Sequence, residues 1–113
     1  MLFRHFLLSA LAALAASRPL DLFQVKLCND PYYEGDCFDI QVNPARTGIC
    51  TRLQGSLYYK QLSSISVGDE ITCYAFEGDN CDGDSLPDIQ APGIDDLGSA
   101  GWDNRVRSVK CAM

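Results

Sequence analysis

The chain has 113 residues, six of them cysteine, with 15 acidic side chains against 9 basic ones and a formal net charge of −6 at pH 7. That length holds one ordinary domain, and the acidic balance argues against nucleic acid as a partner, because phosphate binding needs clustered Lys or Arg. The imbalance is local. Between Gln61 and Asn104 there is no Lys or Arg, while Asp69, Glu70, Glu77, Asp79, Asp82, Asp84, Asp88, Asp95, Asp96 and Asp103 all fall there, a surface for solvated loops, cations or basic partners.

Residues 1–17 read as a secretory signal peptide. Met1–His5 is a short basic start, Phe6–Ala15 an apolar run, and Ala13-Leu14-Ala15 or Ala15-Ala16-Ser17 a small-x-small cleavage site. The run is too short for a comfortable anchor and no second one follows, so no membrane span is predicted. Residues 18–113 form the expected domain of a secreted, extracellular protein. Without Arg4 the basic count falls to 8 against 15 acidic residues, a net charge of −7. The lone histidine, His5, lies in the leader. A secreted form lacking it has no Ser-His-Asp triad, Cys-His pair or His-ligated metal.

The cysteines stand at Cys28, Cys37, Cys50, Cys73, Cys81 and Cys111. An even number in a short exported chain implies three disulfides, with 15 pairings open. Bridged cysteines offer no thiolate nucleophile. No Cys-x-x-Cys occurs, so neither a zinc nor a thioredoxin-like site is supported. Paired carboxylates such as Glu77 and Asp79 suit glycoside hydrolysis, but acids on the loops of a small sandwich offer little cleft, and no catalytic residue is assigned.

Taken in order, Phe23, Val25 and Leu27 alternate with Gln24 and Lys26, a half-buried strand. Asn29-Asp30-Pro31 opens a turn, and Phe38, Ile40 and Val42 mark a second strand. Asn43–Gly48 is a loop, Ile49–Leu53 a third strand, Gln54–Gln61 ambiguous, and Leu62–Val67 a fourth. Val67–Glu70 is a hinge. Ile71, Cys73 and Ala75 alternate with Thr72, Tyr74 and Phe76 as a strand, and Glu77–Asn80 is turn chemistry. Ser85–Ile89 follows, with Pro87 suggesting an edge. Gln90–Gly101 is loop-rich, with one helical turn near Asp95-Asp96-Leu97. Trp102 is placed in the core, ahead of a final short strand ending at Cys111.

Two stretches repeat. Tyr33-Glu34-Gly35 followed by Ser64 matches, in order, Phe76 through Cys81-Asp82-Gly83 followed by Ser108. On these residues the chain resembles the βγ-crystallin superfamily, whose Greek key motif carries an aromatic, Phe/Tyr-x-Gly, and a later strand serine. The second copy departs by having Cys81 where the family has Phe or Tyr. The resemblance covers Phe23 to Cys111. It implies an all-β fold in which two Greek key units, about 22–68 and 69–113, form a disulfide-stabilised sandwich. It also implies that Cys73 and Cys111, on the first and last strands of one unit, lie within bridging reach.

Many members of that superfamily bind calcium through Asn/Asp-Asn/Asp-x-x-Ser/Thr-Ser. The resemblance puts Asp103, Asn104 and Ser108 in a degenerate copy, with Arg107 replacing the coordinating hydroxyl. In the first unit Ser63 and Ser64 match while Tyr59 and Lys60 do not. Weak or absent calcium binding is expected, and no other cofactor. Asp79–Asp84 is not an EF-hand loop, because Gly78 stands where the first acid is required. The resemblance to small secreted fungal and microbial members, killer-toxin-like or inhibitor-like, implies a non-catalytic effector, toxin or inhibitor. Its partner is then an extracellular protein or cell-surface target. Asn43–Gly48 and Gln90–Gly101 are the candidate inhibitory loops. The alternative is a calcium-linked structural or stress protein.

Overall fold

The computed structural model describes residues 23–113. The leader reading and residues 18–22 of the expected domain lie outside them. Among the described residues eight strands follow in chain order: β1 Gln24–Asp30, β2 Glu34–Gln41, β3 Ile49–Arg52, β4 Ser64–Val67, β5 Thr72–Phe76, β6 Ser85–Gln90, β7 Gly93–Ile94 and β8 Ser108–Ala112. They form two antiparallel four-stranded sheets, ordered β2-β1-β4-β7 and β3-β8-β5-β6.

The period-2 pattern explains which face is buried. Val25 and Leu27 of β1, Ile65 and Val67 of β4, Cys73 and Ala75 of β5, and Val109 and Cys111 of β8 all point inward. The two faces close on one core with Leu53, Leu62, Leu97, Trp102 and Val106. Trp102 is a core residue, as its sequence context predicts. Pro87 lies on edge strand β6, where its missing N–H removes no central ladder bond. The expected helical turn is a 3-10 turn over Leu97–Ala100. It starts one step after Asp96, whose side chain accepts from the Gly98 N–H.

One expectation is refined. Each unit contributes four strands, but neither sheet is built from one unit alone. β3 leaves the first unit and pairs with β8, Ile49 opposite Cys111 and Arg52 opposite Ser108. Reciprocally, β7 leaves the second unit and pairs with β4, Ile65 opposite Ile94. The units are therefore interlocked, and each sheet carries one visiting edge strand.

All six cysteines are bridged, as Cys28–Cys37, Cys50–Cys81 and Cys73–Cys111. Two of these join residues directly opposite in a ladder, Cys28 to Cys37 on β1 and β2 and Cys73 to Cys111 on β5 and β8. Cys50–Cys81 alone ties a strand of one unit to the hairpin of the other.

Candidate functional site

The two repeated motifs fold into one geometry twice. In the first hairpin the Ser64 hydroxyl donates to the Asp30 carbonyl at 2.7 Å and accepts from the Tyr33 N–H at 3.0 Å. In the second, the Ser108 hydroxyl donates to the Gly78 carbonyl at 2.6 Å and accepts from the Cys81 N–H at 2.8 Å. Both serines are fully buried. Each satisfies one backbone donor and one acceptor that the folded-back turn takes out of its ladder. The glycines close the turns: Gly35 has φ +80°, and a Cβ there would sit 2.5 Å from an Asp30 carboxylate oxygen. Gly83 has φ +76°. Phe76 ends β5 opposite Ser108, and its carbonyl accepts from the Arg107 N–H.

Tyr33 and Cys81 are counterparts, and both hold positive φ, 62° and 55°. Where the first hairpin presents Tyr33, the second uses Cys81 as the anchor to β3. The departure from the family pattern is thus a covalent tie. The first hairpin meets its visiting strand differently, through the Tyr32 N–H donating to the Asp95 carbonyl beyond β7 at 2.6 Å. Burial, and to a lesser degree the Asp95 carboxylate, raise the Tyr33 phenol above its ordinary value.

The repeat extends into the segments before Ser64 and Ser108. The Lys60 N–H donates to the Val106 carbonyl, and the Asn104 N–H to the Leu62 carbonyl. Leu53 N–H donates to the Arg107 carbonyl and Leu97 N–H to the Ser63 carbonyl. Lys60 and Asn104 both hold positive φ. These bonds make Tyr59 the counterpart of Asp103, and Ser63 the counterpart of Arg107. They also bring together residues of opposite units.

The degenerate cation motif is read differently once the segments cross. Asp103 does not pair with Ser108, which is engaged on the hairpin backbone. Its carboxylate instead accepts from the Ser63 hydroxyl at 2.6 Å and from the Asn104 side-chain amide at 3.3 Å. Nearby, Cys28 carbonyl accepts from the Ser63 N–H. The next residue, Asn29, carries a buried side-chain oxygen without a hydrogen-bond partner. Carboxylate, hydroxyl and amide oxygens are the donors a hard cation takes, but calcium takes 6–8 of them. Among the described residues there is no group of three His, Cys, Asp or Glu that holds a metal. At the equivalent position the donors do not fit. Arg107 lies over the Tyr59 ring, 5.9 Å from its centre, and the Tyr59 hydroxyl donates to Asp79 at 2.8 Å.

Arg105 completes the cationic side. It makes a two-point contact with Glu77, Nε and Nη2 each 3.0 Å from a carboxylate oxygen, and donates to the Gly101 carbonyl. Its guanidinium also lies 4.4 Å over the Trp102 ring. The bond from Arg105 holds the Glu77 carboxyl below its ordinary range and raises Arg105 in turn. The hydrogen bond to Asp79 is the main cause of the raised Tyr59 phenol. Of the two arginines, Arg105 pairs directly with a hairpin acid, Glu77.

No protein-family profile and no curated protein matches the chain. Solved structures do. A βγ-crystallin domain solved in work on the evolution of the eye lens fold is 19% identical over 80% of this chain and 85% of its own, with a TM-score of 0.67. The βγ-crystallin domain of Abundant Perithecial Protein from Neurospora crassa, in its Ca2+-bound form, is 18% identical over 85% and 94%, TM-score 0.63. A βγ crystallin from Ciona intestinalis is 23% identical over 77% and 96%, TM-score 0.57. Interlocked sheets, paired serine clasps and these likenesses together give the chain the βγ-crystallin fold.

Proposed function

We propose that this protein works outside the cell as a non-catalytic binding module, an effector, toxin-like protein or inhibitor directed at an extracellular protein or cell-surface target. The observation that supports this most is the interlocked, cross-linked frame: three disulfides and two buried serine clasps hold both hairpins rigid. Rigid loops lose little entropy on binding. The first hairpin projects Tyr32, 63% exposed and held at φ 62°, and exposed tyrosine is a common binding anchor.

The test uses the oxidised secreted chain, labelled and titrated on intact cells, and added to a panel of extracellular proteases. Saturable cell binding or stoichiometric inhibition, lost on reduction, is expected. Absence of both, or turnover of a polysaccharide substrate, would defeat the reading. A second reading, a calcium-linked structural protein, draws on the Ser63–Asp103 pair and on the calcium-bound Neurospora domain of the same fold. It predicts a melting midpoint that rises with calcium and returns in EDTA.

A further inference from the structure

We propose that Arg107 is a built-in cation, locking the second hairpin to the first unit at the place equivalent to the Ser63–Asp103 pair, so that this half of the molecule needs no metal ion. The equivalence is internal to the chain. Ser63 N–H donates to the carbonyl of Cys28 near the end of β1, and Arg107 N–H to the carbonyl of Phe76 at the end of β5. The same crossed contact joins both pairs: Ser63 of the first unit to Asp103 of the second, and Tyr59 of the first to Arg107 of the second. One crossing is hydroxyl to carboxylate. The other is guanidinium to aromatic face.

The charge pattern gives the reason. The second hairpin and its flanks carry Glu77, Asp79, Asp82 and Asp84 within eight residues, with no basic residue of their own. Folding that turn back on itself crowds like charges, and a cation beside it lowers that cost. Arg105 takes Glu77 in a two-point ion pair. Arg107 sits over the Tyr59 ring, whose face is the negative end of its quadrupole. The Tyr59 hydroxyl then reaches the Asp79 carboxylate. The chain Arg107, Tyr59, Asp79 therefore runs from the second unit, through the first, to the hairpin tip. A divalent ion entering here would meet a fixed positive charge and an acid already engaged.

Thermal melts and calorimetric calcium titration of the oxidised secreted chain test this. In EDTA, Arg107→Met, which keeps the apolar stem, is expected to lower the melting midpoint by about 2–5 °C, and Arg107→Lys to retain most of the stability. Asp103→Asn, which removes the carboxylate at the other crossing, is expected to show no calcium heat and no calcium-dependent rise in midpoint. A calcium response in the parent that disappears in Asp103→Asn puts the ion at the Ser63 crossing and agrees with the proposal. Calcium stabilising Asp103→Asn while Arg107 is present would overturn it. So would Arg107→Met melting in EDTA at the parent temperature.

Discussion

The two hairpins share a backbone and differ in what holds them. Asp30–Gly35 and Gly78–Gly83 are each clasped by a buried serine that bonds one carbonyl and one N–H of the turn. Beyond the clasp they diverge. The first hairpin bonds the residue just past its visiting strand, the Tyr32 N–H donating to the Asp95 carbonyl. The second is held to β3 by Cys50–Cys81, to Arg105 by a two-point ion pair, and to Tyr59 through Asp79. The clasp solves a backbone problem that every copy of this turn has. Of the additional ties, the Arg105 pair offsets Glu77, an acid whose counterpart in the first hairpin is the neutral Asn29.

Removing Cys50–Cys81 as a double serine variant is the largest test of that difference. The bridge spans 31 residues, and loop-closure reasoning gives a loss of about 3–4 kcal/mol, against about 2–3 kcal/mol for Cys28–Cys37, which spans 9. Hydrogen exchange should also show lost protection at Ile49–Arg52, because β3 is an edge strand whose one ladder neighbour among the described residues is β8. Protection of β3 unchanged by the double variant would mean the ladder alone holds it, and the contrast between the hairpins would collapse.

The serine clasps should instead be equal. Ser64→Ala and Ser108→Ala each leave a donor and an acceptor of a turn without their buried partner, and each is expected to cost about 2–3 kcal/mol in denaturant unfolding. The two losses should agree within about 1 kcal/mol, the scatter expected of such measurements. A Ser108→Ala variant close to neutral would show that the disulfide and arginine ties have made the second clasp redundant.

The smallest effect is on pH. Glu77 is held below its ordinary value of 4.5, chiefly by the bond from Arg105. Its contribution is therefore complete above that ordinary value and lost as pH falls through the depressed one. The first-hairpin counterpart, Asn29, has no such titration. Melting midpoints of the parent and Glu77→Gln should differ at pH 7 and converge as the pH is lowered below 4.5. High salt should shrink the difference, because the pair is more than a third exposed. A gap that is constant with pH would remove the ion pair from the account of the second hairpin.

Much of this was written in short stretches of chain. Val25 and Leu27, or Cys73 and Ala75, alternate with polar neighbours, and a strand's side chains point to opposite faces whatever lies beyond it. The Gly35 and Gly83 turns and the paired Ser64 and Ser108 are visible because the motif recurs in order, so the fold and the structural role of the serines follow from sequence. Gln54–Gln61 was not legible: its backbone bonds go to distant partners, such as Lys60 N–H to Val106 O, and no local period marks them.

Local patterning in the chain specifies seven of the eight described strands, their inward faces, the turn glycines and the presence of three bridges; β7, Gly93–Ile94, falls in a stretch that reads as loop. That β3 and β7 change sheets, that Cys50 meets Cys81, and that Asp103 faces Ser63 while Arg107 faces Tyr59 came from the assembled fold alone. Strand alternation and turn chemistry act between neighbours in the chain. Which of six cysteines or which of two crossed segments meet depends on how the two units interlock, and that is fixed by burial of the shared core.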